Sequence, residues 1–334
     1  MRMLAVLVLL LFSGYLIADE VPPPIIDMHL HASPADTNGP PPIGICAPVQ
    51  EIPVLDPAKS WIEAFTAWLK NPPCANPIWG PETDEGVMKE TLEILERRNI
   101  YAVTSGPLIE TWKKAGGKRI IPGLGFGLTQ NLSTPGEVRK WFREGRYQVF
   151  AEVAIQYDGI SPSDPMFEPY LAVAEELDVP VGIHIGTGPP GAPYIPGIPN
   201  YRARLHSPLV LEEALIRHPK LRLYILHAGW PMLDDLLAVL WVHPQVHIDV
   251  GVISFAIPRK EFHRYLQRIV EAGFEKRVMF GSDQMNWPKT IELAIEAINT
   301  ADFLSEQQKR DILYNNAARF LRLSKEEIAR HHRK

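Results

Sequence analysis

Positive charge is scarce in this sequence. Lysine and arginine number 34 against 39 aspartates and glutamates, a formal net charge of −5, and no basic run breaks the pattern. That balance lacks the electrostatic footprint of a nucleic-acid binder. Cysteine is scarcer, at two in 334 residues, which excludes a disulfide-built scaffold. Glycine, at 23, is too rare for collagen-like repeats, and 46% hydrophobic residues is too many for a disordered chain. After the first twenty residues no apolar run reaches membrane-spanning length. Proline is in excess instead: 32 residues, which implies many stiff loops rather than a helical bundle.

The N-terminus reads as a separate device. Met1-Arg2-Met3 is short and basic, Leu4 to Phe12 is unbroken apolar sequence, and the stretch ends on Ala18 before Asp19-Glu20. This layout predicts a signal peptide over residues 1–18, with export to a secreted or periplasmic location and no stable membrane anchor. In an oxidising compartment Cys46 and Cys74, which share one long irregular stretch, are expected to pair; two unrelated buried thiols is the alternative.

From Ile25 onward, eight apolar runs alternate with amphipathic stretches. The runs lie at Ile25–His31, Ile100–Ser105, Arg119–Gly125, Tyr147–Ala154, Pro180–Ile185, Leu221–His227, Val246–Val252 and Arg277–Asp283. Helical patterns fall between them, as at Glu85–Arg98 and Pro258–Ala272. Eight strands alternating with helices predict an α/β fold, a (β/α)8 TIM barrel filling residues 19–334 as one domain. An open doubly wound sheet is the rival, but no glycine-rich dinucleotide fingerprint follows the first strand. Two segments break the repeat: a Pro-rich insertion over about Ala32–Pro81, read as an ordered flap over the barrel mouth, and Gly186–Arg204 after strand 5. Extra C-terminal helices are expected over Ser305–Lys334, outside the barrel, with His331 and His332 solvated in a charged tail.

The chemistry gathers at the C-terminal ends of the strands. Strand 1 ends Asp27-Met28-His29-Leu30-His31, and residues two apart share a face, so both imidazoles should point inward while Met28 and Leu30 face the helices. Strand 4 carries Glu152, strand 5 ends in His184, strand 6 in His227, and strand 8 in Asp283. Barrel enzymes place catalytic groups at these ends, and a buried charge is costly unless paired or bound to metal. Asp27, one layer below His29, reads as structural, while Asp249 on strand 7 fits either an orienting or a packing role. Tyr157, Arg202, Arg204, Trp230 and Trp287 follow strand ends and are candidates to line a pocket. His206, His218, His243, His247 and His263 receive no role.

This pattern resembles the metal-dependent amidohydrolase superfamily, and Ile312–Leu321 looks like the terminal helix of its amidohydrolase family 2 branch. The resemblance implies a divalent-metal cofactor, most simply one or two Zn²⁺ ions. It implies His29, His31, His184 and Asp283 as ligands, and His227 as a ligand of a second metal or a catalytic histidine. Glu152 stands where binuclear relatives place a bridging anion; its alternative is to orient a ligand histidine. The implied reaction is hydrolysis of an amide, ester or lactone of a small molecule, with Asp283 taking the proton of an activated water. A metal-dependent decarboxylase of the same branch, and a non-catalytic periplasmic binder, are the competing readings. A homo-oligomer is left open.

Overall fold

The computed structural model describes residues 22–127 and 133–333, so the expected signal peptide lies outside the described residues. β-Branched and other apolar residues dominate the eight runs, and each forms a strand. β1 (Ile25–His31), β2 (Ile100–Ser105) and β3 (Ile120–Pro122) pair in parallel as one sheet. β4 (Phe150–Val153), β5 (Val181–His184), β6 (Leu223–Leu226), β7 (His247–Asp249) and β8 (Val278–Met279) form a second parallel sheet in sequence order. Parallel bridges Gly123–Val149 and Phe126–Val153 join the sheets at one seam. At the other, Met28 N donates to Phe280 O at 2.9 Å and Asp283 N to His29 O at 2.7 Å.

A helix follows each strand: α1 (Asp84–Arg97), α2 (Ile109–Gly116), α3 (Pro135–Arg143), α4 (Glu168–Glu176), α5 (Glu212–Arg217), α6 (Leu233–Val242), α7 (Arg259–Glu271) and α8 (Thr290–Asn299). Side chains cap two of these starts: the Thr83 side chain accepts from Gly86 N on α1, and Thr134 and Glu137 close a capping box on α3. The architecture is a (β/α)8 barrel. Its outer layer packs Val181, Ile183, Leu223 and Ile225 against the helices, while Tyr224, Leu226 and Met279 fill the lower interior. Gly182 is required there, because a Cβ on it would lie 2.4 Å from the Tyr224 ring. Tyr224 also donates its hydroxyl to Met28 O at 3.1 Å.

Two expectations need correction here. Met28 does not face the helices: it joins the inner cluster with Ile26 and Tyr224, because the register shifts between Asp27 and Leu30. His331 is not solvated. It is buried, stacked on Tyr101 at 3.6 Å between ring centroids and bonded through Nδ1 to the Tyr314 hydroxyl at 3.0 Å, while His332 is exposed. The C-terminal helical segment Glu306–Phe320 closes the barrel floor. Its wide π turn at Asp311–Asn315 leaves the Ile312 carbonyl free to accept from Phe280 N at 2.9 Å. Tyr314, Ala317 and Phe320 then complete the inner apolar cluster.

The Pro-rich insertion is ordered. It holds a short antiparallel pair, Gly44–Ile45 with Ile78–Trp79, a helix at Trp61–Lys70, and a Cys46–Cys74 disulfide. Trp61 Nε1 donates to Pro190 O at 3.2 Å, which fixes the insertion against the segment after β5. Gly191 lies beneath that indole, where a Cβ would come within 2.1 Å of the ring.

Candidate metal centre

Two irregular strands set the site. Met28 and His29 of β1 stand against one residue of β2 between Asp27 and Leu30, and Ala151 and Glu152 of β4 stand against one residue of β5 between Phe150 and Val153. Such bulges re-aim a side chain without breaking the strand. Here they carry His29 and Glu152. Asp27 Oδ1 holds the first bulge by accepting from His29 N and Ser282 N, both at 2.9 Å, so Asp27 is structural as expected. Ser105 Oγ accepts from Glu152 N at 3.3 Å at the second. His227 and Asp283 stand just past their strands in left-handed backbone, φ 59° and 52°. That conformation is uncommon outside glycine but tolerated best by Asn, Asp and His.

All six predicted residues converge. His29 Nε2 and His31 Nε2 are 3.0 Å apart, and His31 Nε2 is 2.9 Å from Asp283 Oδ1. Across the barrel, His227 Nε2 lies 3.0 Å from His184 Nδ1. Glu152 sits between the two pairs. Its Oε1 is 2.6 Å from His184 Nδ1 and 3.7 Å from His227 Nε2, while Oε2 is 3.6 Å from both strand-1 imidazoles.

Hydrogen bonds on the far side of the rings fix which nitrogens face inward. His227 Nδ1 lies 3.1 Å from Gly251 O, which can only accept, so Nδ1 carries a proton and Nε2 faces the cluster. His184 meets the Tyr157 hydroxyl through Nε2 at 3.2 Å, leaving Nδ1 toward Glu152. His29 Nδ1 faces Asp249 Oδ2 at 3.4 Å, and neither atom has another partner. Asp249 Oδ1 meanwhile accepts from His227 N and Gly251 N, so this carboxylate braces both halves of the cluster. Glycine at 251 and 281 makes the room: a Cβ on either would fall within about 3 Å of His29 or Asp249.

The electrostatics express one demand. Burial works against charge on Glu152, but the charge on His29 and hydrogen bonds from His184 and His227 hold its carboxyl well below the usual range. Asp283 behaves alike, burial being outweighed by His29 and His31. Burial would lower His29, yet Asp283 and Glu152 hold it well above the ordinary imidazole value. His184 is lowered, by burial and then by His227. Two largely buried carboxylates thus draw positive charge into a space walled by imidazole nitrogens. Nitrogen and carboxylate donors are the set that divalent transition metals take, so the residues fit one or two such ions.

A cleft of about 1150 Å³ opens over the cluster, with His31, Glu152, His184, His227 and Asp283 on its floor. Tyr157, Arg202, Trp230 and Trp287 line it, whereas Arg204 is exposed and lies outside it. The unassigned histidines are mostly structural: His218 is held between Glu168 and Glu175 at 2.7 and 3.0 Å, and His263 meets Ala297 O at 2.8 Å. His206 is the exception. It is buried with its ring 5.3 Å from that of His184, and burial pushes its pKa down to about 3. Neither its place nor that of the Tyr157 hydroxyl could be read from strand parity, since both follow strand ends on irregular backbone.

Comparison with known proteins agrees with this geometry. The family described as Amidohydrolase matches residues 26–323. A region of 135 residues is 22% identical to Protein fluG of Emericella nidulans, over 36% of this chain and 16% of that protein. The chain therefore spans less than a fifth of the length of that curated relative. Among solved structures, an uncharacterised TIM-barrel protein of Bordetella bronchiseptica aligns with a TM-score of 0.58 at 16% identity, covering 89% of this chain and 98% of the other. A probable 2-pyrone-4,6-dicarboxylic acid hydrolase of Acinetobacter baumannii gives 0.55 at 16% identity, over 90% and 99%. A manganese-bound 5-carboxyvanillate decarboxylase of Novosphingobium aromaticivorans gives 0.56 at 12%, over 90% and 97%. At these identities the likeness is one of fold.

Proposed function

The chain belongs to the amidohydrolase family, and on that premise we propose that it is a metal-dependent hydrolase of an amide, ester or lactone bond in a small organic substrate. The observation that carries this reading is the placement of Glu152, one carboxylate oxygen toward each histidine pair. A single carboxylate spanning two imidazole pairs is what a two-cation site needs, because its charge offsets the repulsion between the ions. His29, His31 and Asp283 would hold one cation, His184 and His227 the other, with Glu152 shared; Zn²⁺ suits the nitrogen-rich set.

A bound divalent cation supplies Lewis acidity toward water and a substrate carbonyl. The chain's own groups do the rest. Asp283 is the carboxylate at the cluster's edge, kept ionised by its imidazole neighbours, and it takes a proton from the attacking water. It returns that proton to the leaving oxygen or nitrogen as the scissile bond breaks, so the carboxylate is restored. With two cations His227 is a ligand; with one, its Nε2 carries a proton and donates to the oxygen of the attacked carbonyl. Tyr157 accepts from His184 Nε2–H and orients the ring, leaving its own hydroxyl proton for the substrate.

The alternative, a decarboxylase, calls for a cationic pocket residue to hold the substrate. Arg202 is the guanidinium on the cleft wall, and its Nη1 already donates to Pro199 O and Tyr201 O at 3.1 and 2.6 Å. Export is proposed on the Leu4–Phe12 run together with the Cys46–Cys74 pairing, which suits an oxidising compartment. The test of function is a panel of esters, lactones, amides and aromatic carboxylic acids on protein reconstituted with Zn²⁺ or Mn²⁺. Hydrolysis of one of the first three is expected; carbon dioxide release from an acid without any hydrolysis would overturn the reading.

A further inference from the structure

The cleft above the cluster is unusual for the side chains it leaves out. Among the described residues, the only charged group on its wall apart from Glu152 and Asp283 is Arg202, which is exposed and donates from Nη1 to two backbone carbonyls. Besides Tyr157, Trp230 and the segment after β5, the wall draws on three parts of the chain. The insertion supplies Ile45, Phe65 and Trp68, with the last two rings 5.6 Å apart on one face of the Trp61–Lys70 helix. The segment after β7 supplies Val252 and Ile253, and Trp287 stands after β8 with its indole tied to Ile43 O at 3.3 Å. The disulfide and the Trp61–Pro190 hydrogen bond hold the first part in place, so the apolar wall is built rather than collapsed.

Physical chemistry sorts what such a space admits. A charged group lying against the wall of Phe65, Trp68 and Val252, away from the exposed Arg202, would shed water and meet no partner, which is unfavourable. An apolar arm gains about fourfold in affinity for each methylene removed from water. The volume suits a drug-sized molecule rather than a two-carbon acid. We propose that this site takes neutral carbonyl compounds bearing a long apolar arm, with the carbonyl at the cluster and the arm against the wall formed by Phe65, Trp68 and Val252. The proposal adds a substrate class to the hydrolase reading, on which its catalytic meaning rests.

The test is binding, so that it does not depend on turnover. Straight-chain alkanamides from butanamide to decanamide are titrated calorimetrically into the zinc-loaded full chain, alongside suberic acid monoamide, which matches octanamide in length but ends in a carboxylate. Octanamide is expected to bind at least about tenfold tighter than butanamide, against a ceiling near 200-fold for four fully buried methylenes. It should also bind more tightly than the monoamide acid. Phe65→Ala and Trp68→Ala should each compress the octanamide-to-butanamide ratio toward one. A flat series in the unaltered protein, or equal binding of the carboxylate-tailed amide, would overturn the proposal without reference to any variant. Length-dependent binding with no hydrolysis of the corresponding esters would leave this inference standing and remove the hydrolase reading. Hydrolysis of short esters together with a flat binding series would do the reverse.

Discussion

A carboxylate among four imidazoles can share its protons or share a cation, and the proposed role of Glu152 is the second. Its two oxygens face different histidine pairs, which an orienting residue for one histidine would not require. Glu152→Gln keeps the shape and removes the charge. Metal analysis of the variant is expected to show the second ion lost first, with hydrolytic turnover down on the order of 10²-fold, as when a preorganised charged group is removed. Asp249 acts one step away, bracing the His29 ring and the His227 backbone while touching no substrate. Asp249→Asn should weaken metal affinity about 10- to 100-fold, as removal of a ligand's hydrogen-bond partner commonly does. Metal-binding isotherms check it, and the far-ultraviolet circular dichroism should not change. Unaltered metal affinity would reduce Asp249 to packing.

At the scale of elements, the barrel hangs on strands of two to seven residues, and its access side on a stapled insertion. The Cys46–Cys74 bridge spans 28 residues. On the chain-entropy account, closing a loop of that length stabilises by about 3–4 kcal/mol. The Cys46→Ser, Cys74→Ser double variant should show that loss in its denaturation midpoint, and faster proteolysis within residues 32–81 should accompany it. The eight strands, the insertion and the convergence of six candidate ligands were all legible from apolar runs and period-two parity. The bulges were not. Nothing in Asp27-Met28-His29 or Phe150-Ala151-Glu152 marks an extra residue, because a bulge is decided by the neighbouring strand's register and by backbone partners such as Ser282. Parity therefore assigned His29 correctly and Met28 wrongly. His331 was misread for a related reason: its charged neighbours suggest solvent, while its burial depends on Tyr101, some 230 residues earlier.

For the molecule as a whole, the floor and the mouth of the barrel answer to different conditions. The floor is closed by the C-terminal helices, and there burial, then Arg330, pushes the His331 pKa down to about 4. His332 and Arg119 act in the same sense and Glu327 opposes them. Unfolded, the same imidazole titrates near the ordinary histidine value of 6.5. Between those values the unfolded chain binds a proton that the folded one does not. This group's contribution is thus complete above pH 6.5 and is lost as pH falls toward 4. His331→Phe should shrink the difference between urea midpoints at pH 7 and pH 4.5. His247 and His206, buried and lowered to about 4 and about 3, would leave part of the slope in place. Equal slopes in the two proteins would contradict the account.

The mouth answers to metal, and there the central claim is a count. Five side chains, from the C-terminal ends of β1, β5, β6 and β8, converge around the Glu152 carboxylate of β4. The direct measurement is the metal content of the purified chain after removal of metal and reconstitution with excess Zn²⁺, with unbound ion removed and protein quantified independently. The account predicts two equivalents per chain. A protein that never exceeds one equivalent would contradict it, and Glu152 would then be a residue that orients histidines rather than one that joins two ions.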